Sequence, residues 1–145
     1  MPKEVPDHHD AELVLRIYEL RREAVMRESR NAINGQFWPR GYDDLKAISK
    51  QDDPLNAAFR QVATYWEMVY GMVRHGIVHA EYFVENNGEG MLLFAKVQPY
   101  LDDYRRDFAA TAFRNAEWVA RETEAGRALL ERFRARVRTT LESRA

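Results

Sequence analysis

One stretch in the middle of the chain constrains the fold more than any other. Asp53 and Pro54 are typical of a helix start, because a carboxylate accepts the free N–H groups of the first turn and proline needs no partner there. Gly76 is typical of a left-handed helix stop, preceded by basic residues that suit the negative end of the helix dipole. The sequence therefore predicts a helix over residues 54–75.

The predicted helix 54–75 is apolar over more than half of its circumference. At 100° per residue, the middle of the apolar arc is formed by Leu55, Phe59, Val62, Trp66, Val69 and Val73. Tyr65, Met68 and Met72 widen the arc on one side, and Tyr70 widens it on the other. A helix this apolar packs against several partners rather than lying on a surface. We therefore predict an all-α, single-domain bundle of about five to seven helices around this central helix.

Apolar spacing and turn residues divide the rest of the chain. No segment shows the period-2 alternation of a half-buried strand. The predicted segments are a first helix capped by Asp7 or a neighbouring residue and ending near Asn31, a loop from Asn31 to Tyr42, and short helices from Asp43 to Ser49 and near Ala80 to Glu85.

The C-terminal third holds two positions where the helical prediction stays open. Pro99 lies inside an apolar helical repeat that runs from Met91 to Phe108, so we expect a kinked helix or two helices that abut at Gln98. A further helix is predicted from Ala109. Gly126 decides whether it continues into the last helix, because a helix-interior glycine costs about 1 kcal/mol without forbidding continuity.

Composition limits the class of protein. The chain has 145 residues, 46% of them apolar, which suits one domain over residues 1–145, with residues 1–7 expected to be flexible. Its net charge of −1 gives no overall attraction to nucleic acid or an anionic membrane. It has no cysteine, no signal-peptide pattern and no run of 18 apolar residues. These features predict a cytoplasmic protein.

A candidate ligand site lies on the polar stripe of helix 54–75. Glu67 beside aromatic residues is a candidate general base, since an apolar setting raises the pKa of a carboxyl group. The preferred interpretation is an ion pair with an arginine, either on the same helix or at Arg105 or Arg106. Gly71 would let a ligand or another backbone approach, and Arg74 and His75 complete the candidate pocket.

A candidate partner surface consists of aromatic residues and methionines. The predicted loop from Asn31 to Tyr42 contains more large apolar side chains than a connection usually has. One side of the apolar arc of helix 54–75 is the second part of this candidate surface. The loop residues either cover the end of the bundle or anchor a partner. The candidate partner-binding residues are Phe37, Trp38, Tyr42, Tyr65, Met68 and Met72.

Metal and nucleic-acid sites have little support in the sequence. His75 and His79 are four residues apart, but Gly76 separates them, and no Glu-x-x-His or His-Glu-x-x-His motif occurs. No glycine-rich phosphate loop is present, so we predict no metal and no cofactor. The last helix carries several arginines, among them Arg134 and Arg138, that would suit phosphates. Because no aromatic platform accompanies them, a solvated face is the preferred interpretation.

Three features of the middle of the chain occur in a characteristic order. They are the aromatic–Glu helix at Tyr65-Trp66-Glu67, the pair Gly76-Ile77, and the helix around Gln98-Pro99-Tyr100. This order resembles a bacterial all-helical family known only as a domain of unknown function. The resemblance covers about a third of the chain and implies an all-α fold without assigning any site residue. Members of that family are often preceded by a membrane helix, which we do not find here.

Three functions follow as hypotheses. The first is a non-enzymatic interaction module that self-associates as a homodimer or binds another protein, because its apolar arc is wide for a chain of this length. The second is a small-ligand binder or enzyme with a pocket near Glu67, Arg74 and His75. The third is nucleic-acid binding through the C-terminal arginines.

Overall fold

The computed structural model describes residues 3–145, and these residues form nine α-helices and one 3₁₀ turn without any strand. The all-α prediction is confirmed. The helices are α1 (His8–Arg22), α2 (Ala24–Gln36), α3 (Tyr42–Ile48), α4 (Asn56–Arg74), α5 (Ala80–Asn86), α6 (Gly90–Val97), α7 (Leu101–Asp107), α8 (Arg114–Glu122) and α9 (Glu124–Ser143). Their number exceeds the predicted five to seven because several short breaks divide apolar runs that the sequence alone joins.

The first predicted helix is two helices. Asp7 caps α1 as predicted, since its carboxylate accepts hydrogen bonds from the backbone N–H groups of His9 and Asp10. The chain then breaks at Glu23, whose backbone is extended and whose carboxylate accepts the N–H groups of the first turn of α2. Glutamate is a common helix-interior residue, so the sequence gives no warning of this break. Part of the predicted flexible segment 1–7, Met1 and Pro2, lies outside the described residues.

The predicted loop from Asn31 to Tyr42 is wrong at both ends. Helix α2 continues through Asn34 and Gly35 to Gln36, and Tyr42 already begins α3, so that residues 37–41 alone connect the two helices. Gly35 lies in the last turn of α2, where a helix-breaking residue is tolerated more easily than in the interior. The apolar load of the predicted loop therefore falls partly on helices.

Helix α4 ends as predicted but starts later. It begins at Asn56 rather than at Pro54, and the Asp53 carboxylate accepts the Leu55 N–H at 2.9 Å one turn before the helix. At the other end Gly76 has φ 73°, the left-handed conformation that glycine adopts without steric cost. The N–H of Gly76 donates to Val73, and the next N–H donates to the Met72 carbonyl, which forms a Schellman stop.

The two open positions in the C-terminal third have clear outcomes. Pro99 lies in a 3₁₀ turn, Gln98–Tyr100, that joins α6 to α7. The structure therefore agrees better with two helices that abut near Gln98 than with one kinked helix. The predicted helix from Ala109 starts only at Arg114, after a turn. At the next junction α8 and α9 are separate helices, and the Thr123 side chain caps α9 by accepting the Gly126 N–H at 2.9 Å.

The packing places α6 at the inside of the molecule. Helix α4 packs mainly against α2 and α8, while α9 packs against α6 and α8. Every residue of α6 is buried, and six of the eight are apolar side chains. The exceptions are Gly90 and Lys96, and the lysine is the one charged residue of this helix. A buried charge in an apolar helix is expensive, which makes its surroundings the first place to look for function.

Candidate functional site

The predicted ligand-site residues meet the start of another helix. The Glu67 carboxylate accepts the backbone N–H groups of Asn115 at 3.0 Å and Ala116 at 2.8 Å. The Asn115 side chain donates back to the Glu67 carbonyl at 3.0 Å, packs against Gly71 and accepts from Arg74 at 3.4 Å. The structure therefore brings three of the four predicted residues together around Asn115. His75, at the end of α4, is exposed.

Glu67 is thus the anion at the N-terminus of α8. Free N–H groups and the helix dipole both favour a carboxylate at that position. Burial nevertheless raises the pKa of Glu67, with the two backbone N–H groups acting in the opposite direction. The preferred sequence interpretation, an ion pair with an arginine, is wrong in its partner, because Arg105 pairs with Glu117 instead.

Two small cavities touch these residues separately. One of about 170 Å³ is lined by Glu67 together with Phe59, Tyr104 and Phe113. Another of about 160 Å³ is lined by Arg74 and His75. Since the Glu67 carboxylate already accepts two N–H groups of α8, the first cavity presents no free carboxylate from this residue, and the arrangement supports a structural role for Glu67.

Changing Glu67 to glutamine tests this role. The variant should lower the free energy of unfolding by about 1.5–3 kcal/mol at neutral pH, because one neutral oxygen replaces a carboxylate that accepts two N–H groups. Chemical denaturation of the variant measures the change. Glu85→Gln is the matched control, since Glu85 is exposed and makes no side-chain hydrogen bond within residues 3–145. Equal stability of the two variants would contradict the capping role.

The predicted partner residues pack largely within the chain. Phe37 and Tyr65 are buried, and Tyr65 donates to the Ile17 carbonyl at 2.8 Å. The half-buried Trp38 and Tyr42 donate to Asn34 and Asp107 at 3.0 and 2.6 Å. The aromatic segment therefore covers the core. The two methionines of the set differ, since Met72 is half-buried and Met68 is 53% exposed.

A groove opens between the 37–41 connection, the end of α6 and the second half of α9. Its volume is about 490 Å³, and we call it the cationic groove. Its lining combines apolar surface with four cationic side chains and one carboxylate. The lining residues are Pro39, Arg40, Ala95, Lys96, Pro99, Tyr100, Arg134, Val137, Arg138, Leu141, Glu142 and Ala145.

Lys96 is one of the lining residues of the cationic groove and is only 1% exposed. Its Nζ donates to the Ile33 carbonyl at 3.2 Å and lies 3.9 Å from the centre of the Trp38 ring. No carboxylate in the described part of the chain forms an ion pair with it. Burial, reinforced by the nearby positive charges of Arg136 and Arg144, lowers the pKa of Lys96 to about 7.

The arginines around the groove are also without carboxylate partners among residues 3–145. Arg40 donates to the Leu141 carbonyl at 2.8 Å, and Arg134 donates to the Gln98 side chain at 2.9 Å. Arg144 donates to the Gly35 carbonyl at 3.0 Å. These bonds hold the guanidinium groups in place without neutralising them, so the groove concentrates positive charge.

This site is not among those predicted from the sequence. Its one signal is a single lysine, Lys96, inside the otherwise apolar run Met91–Val97, while the arginines of α9 fit the pattern of a solvated face. Nothing in the spacing shows that Arg40, Lys96 and Arg138 converge, because more than 40 residues separate each from the next.

Two site classes considered from the sequence find no counterpart in the described residues. Among residues 3–145, His, Asp and Glu side chains nowhere gather in threes as a metal ion requires. None of the helices in this part of the chain combines the length and apolarity that crossing a bilayer needs.

Comparison with known proteins adds a family. No curated protein and no solved structure is significantly similar to the chain. A family model matches residues 6–123, which is well over half of the chain and wider than the third of the chain that carries the resemblance described above. The match ends before α9, so the groove residues Arg134 and Arg138 lie outside the matched region. The chain belongs to the family described as a domain of unknown function, DUF4760.

Proposed function

We propose that this protein binds a small anionic ligand with an apolar portion in the cationic groove. The observation that carries the proposal is the buried Lys96, which has a backbone carbonyl and an aromatic face as neighbours but no carboxylate. An uncompensated buried cation is costly, and a bound anion would remove that cost.

The chemistry of the lining defines the class of ligand. Four cationic side chains face one carboxylate, Glu142, so the groove favours a carboxylate or a phosphate group. The remaining surface comes from residues such as Val137, Leu141 and Tyr100, which favour an aliphatic or aromatic group beside the anion. This proposal keeps the small-ligand hypothesis from the sequence but moves it away from Glu67 and Arg74.

Calorimetric titration with phenyl phosphate tests the proposal, with phenol as the uncharged comparison. Arg138→Gln should weaken phenyl phosphate binding about tenfold, since Arg138 has no partner among residues 3–145 and is free to pair with the anion. Arg132→Gln is the matched control, because it removes the same charge from an exposed position of α9 outside the groove. Equal losses in the two variants would point to general charge attraction and overturn the site.

Self-association stays as a second proposal because one of its predicted residues is available. Met68 on α4 is 53% exposed, and α1 also exposes large apolar side chains, including Leu15 and Tyr18. A second copy of this chain would bury such surface. Light scattering coupled to size exclusion at several concentrations tests it, and a monomer at every concentration would end it.

A further inference from the structure

We infer that the Lys96 amine forms a reversible imine with an aldehyde or ketone group carried by the anion in the cationic groove. The inference rests on the proposed anion binding and deepens it, because it adds a carbonyl group to the class of ligand. The chemistry differs from the general-base role considered for Glu67, because the reacting group is an amine that forms a covalent bond.

The first step of the argument is the position of the amine. Lys96 and the arginines Arg134 and Arg138 line the same groove, so an anion held by the guanidinium groups brings its neighbouring atoms close to Lys96. The amine donates to the Ile33 carbonyl and lies 3.9 and 5.9 Å from the centres of the Trp38 and Phe37 rings. No carboxylate is there to hold a proton on it.

The second step is the protonation state. Only the neutral amine has the lone pair that attacks a carbonyl carbon. The charged groups around Lys96 are Arg136 and Arg144 from α9 and its end, which favour the neutral amine, and Glu89, which opposes them. Glu89 is itself paired with Arg30, which reduces its effect. With burial as the largest cause, the pKa of Lys96 is lowered to about 7.

This setting separates Lys96 from the other lysines. At pH 7 roughly half of the Lys96 amine is neutral, compared with about one part in 3,000 for a lysine that keeps a pKa of 10.5. Desolvation next to other cations is the physical arrangement that makes a lysine nucleophilic towards carbonyl groups. Lys96 is therefore a strongly activated amine.

The proposed step balances without an oxidant or a reductant. The Nζ lone pair forms a C–N bond with the carbonyl carbon while the C=O π electrons move to oxygen, and one of the two nitrogen protons is transferred to that oxygen to give a neutral carbinolamine. Loss of that hydroxyl group as water, with departure of the remaining nitrogen proton, gives the imine. Water reverses both steps. A 2-oxo acid places the carbonyl beside the anion, as this geometry requires.

Glyoxylate, the smallest 2-oxo acid, is the probe. The full chain is incubated with glyoxylate and cyanoborohydride at pH 7, and peptide mass spectrometry follows the secondary amine formed at each lysine. Lys96 should be labelled at least about tenfold faster than Lys50, an exposed lysine in the same chain. Arg138→Gln should slow labelling at Lys96 while leaving Lys50 unchanged.

The outcomes separate the two proposals. Labelling of Lys96 at the rate of Lys50 overturns the imine, and if phenyl phosphate still binds, anion binding stands alone. If glyoxylate does not label Lys96 selectively and phenyl phosphate does not bind, both proposals are overturned. Selective labelling of Lys96 that is unaffected by Arg138→Gln would overturn the arginine-guided geometry.

Discussion

Replacing Gly126 by alanine is expected to lower the free energy of unfolding by about 3 kcal/mol or more. The chain turns from α8 into α9 through Thr123 alone, and Gly126 lies in the first turn of α9, directly over the end of α8. A Cβ atom there would overlap the Val119 carbonyl oxygen and lie 2.5 Å from the Thr123 hydroxyl oxygen. Backbone cannot move aside as a flexible side chain can, so the two helices would have to separate.

Thermal and chemical denaturation measure this effect, with Gly35→Ala as the matched control. Gly35 lies in the last turn of α2, and nothing lies within 4 Å of a Cβ atom built there. That substitution should be neutral or mildly stabilising, because alanine favours the helix by up to about 1 kcal/mol. Loss of stability at both positions would show that the close approach of α8 to α9 is not the cause.

Replacing Lys96 by methionine should stabilise the fold while abolishing anion binding. An unbranched apolar side chain of similar length fills the same space without a buried charge, which raises the free energy of unfolding by about 2 kcal/mol at pH 7. The Ile33 carbonyl keeps a donor, because the Phe37 N–H also bonds to it. Binding of phenyl phosphate should fall below detection. A gain in stability with a loss of binding is typical of a functional residue.

The same variant isolates a pH dependence whose sign follows from the lowered pKa. The folded state holds the Lys96 proton less tightly than the unfolded state, in which the ordinary pKa is 10.5. Wild-type stability should therefore fall between about pH 10 and pH 7, by up to about 1.4 kcal/mol per pH unit, and this contribution levels off below pH 7.

Denaturation curves at pH 7, 8 and 9 test the slope, with Lys50→Met as the matched control. Because Lys50 is exposed, its replacement should leave the wild-type slope in place, whereas Lys96→Met should remove it. Identical slopes in the wild type and Lys96→Met would mean that the lysine keeps its proton in the folded state.

The features predicted well from the sequence are the ones that neighbouring residues determine. Helix α4 has a wide apolar arc, and its stop needs only Gly76 and the turn before it, so both were visible. The break at Glu23 cannot be predicted in this way, because glutamate is as common inside a helix as it is before the first turn. The predicted loop failed for a similar reason, since Asn34-Gly35 favours a turn locally while packing extends α2 past it.

The candidate site lay beyond such reasoning because it is built from distant segments. Arg40, Lys96 and Arg138 meet only through the packing of α9 on α6, which no local pattern reports. The role of Glu67 was obscured in the same way, since its partners, the first N–H groups of α8, are some fifty residues further along the chain. The residue type of Glu67 indicates a negative charge that needs a partner, but it does not indicate where in the chain that partner lies.

The position of α9, the last helix that the structure describes, has a consequence for how the protein matures. A ribosome releases the chain from the N-terminus, so α6 emerges well before the helix that covers it. Until α9 docks, the face of α6 that α9 covers stays in contact with water. Docking expels that water and creates the groove in one event. Ligand that binds only the finished groove would then draw late-stage folding towards completion.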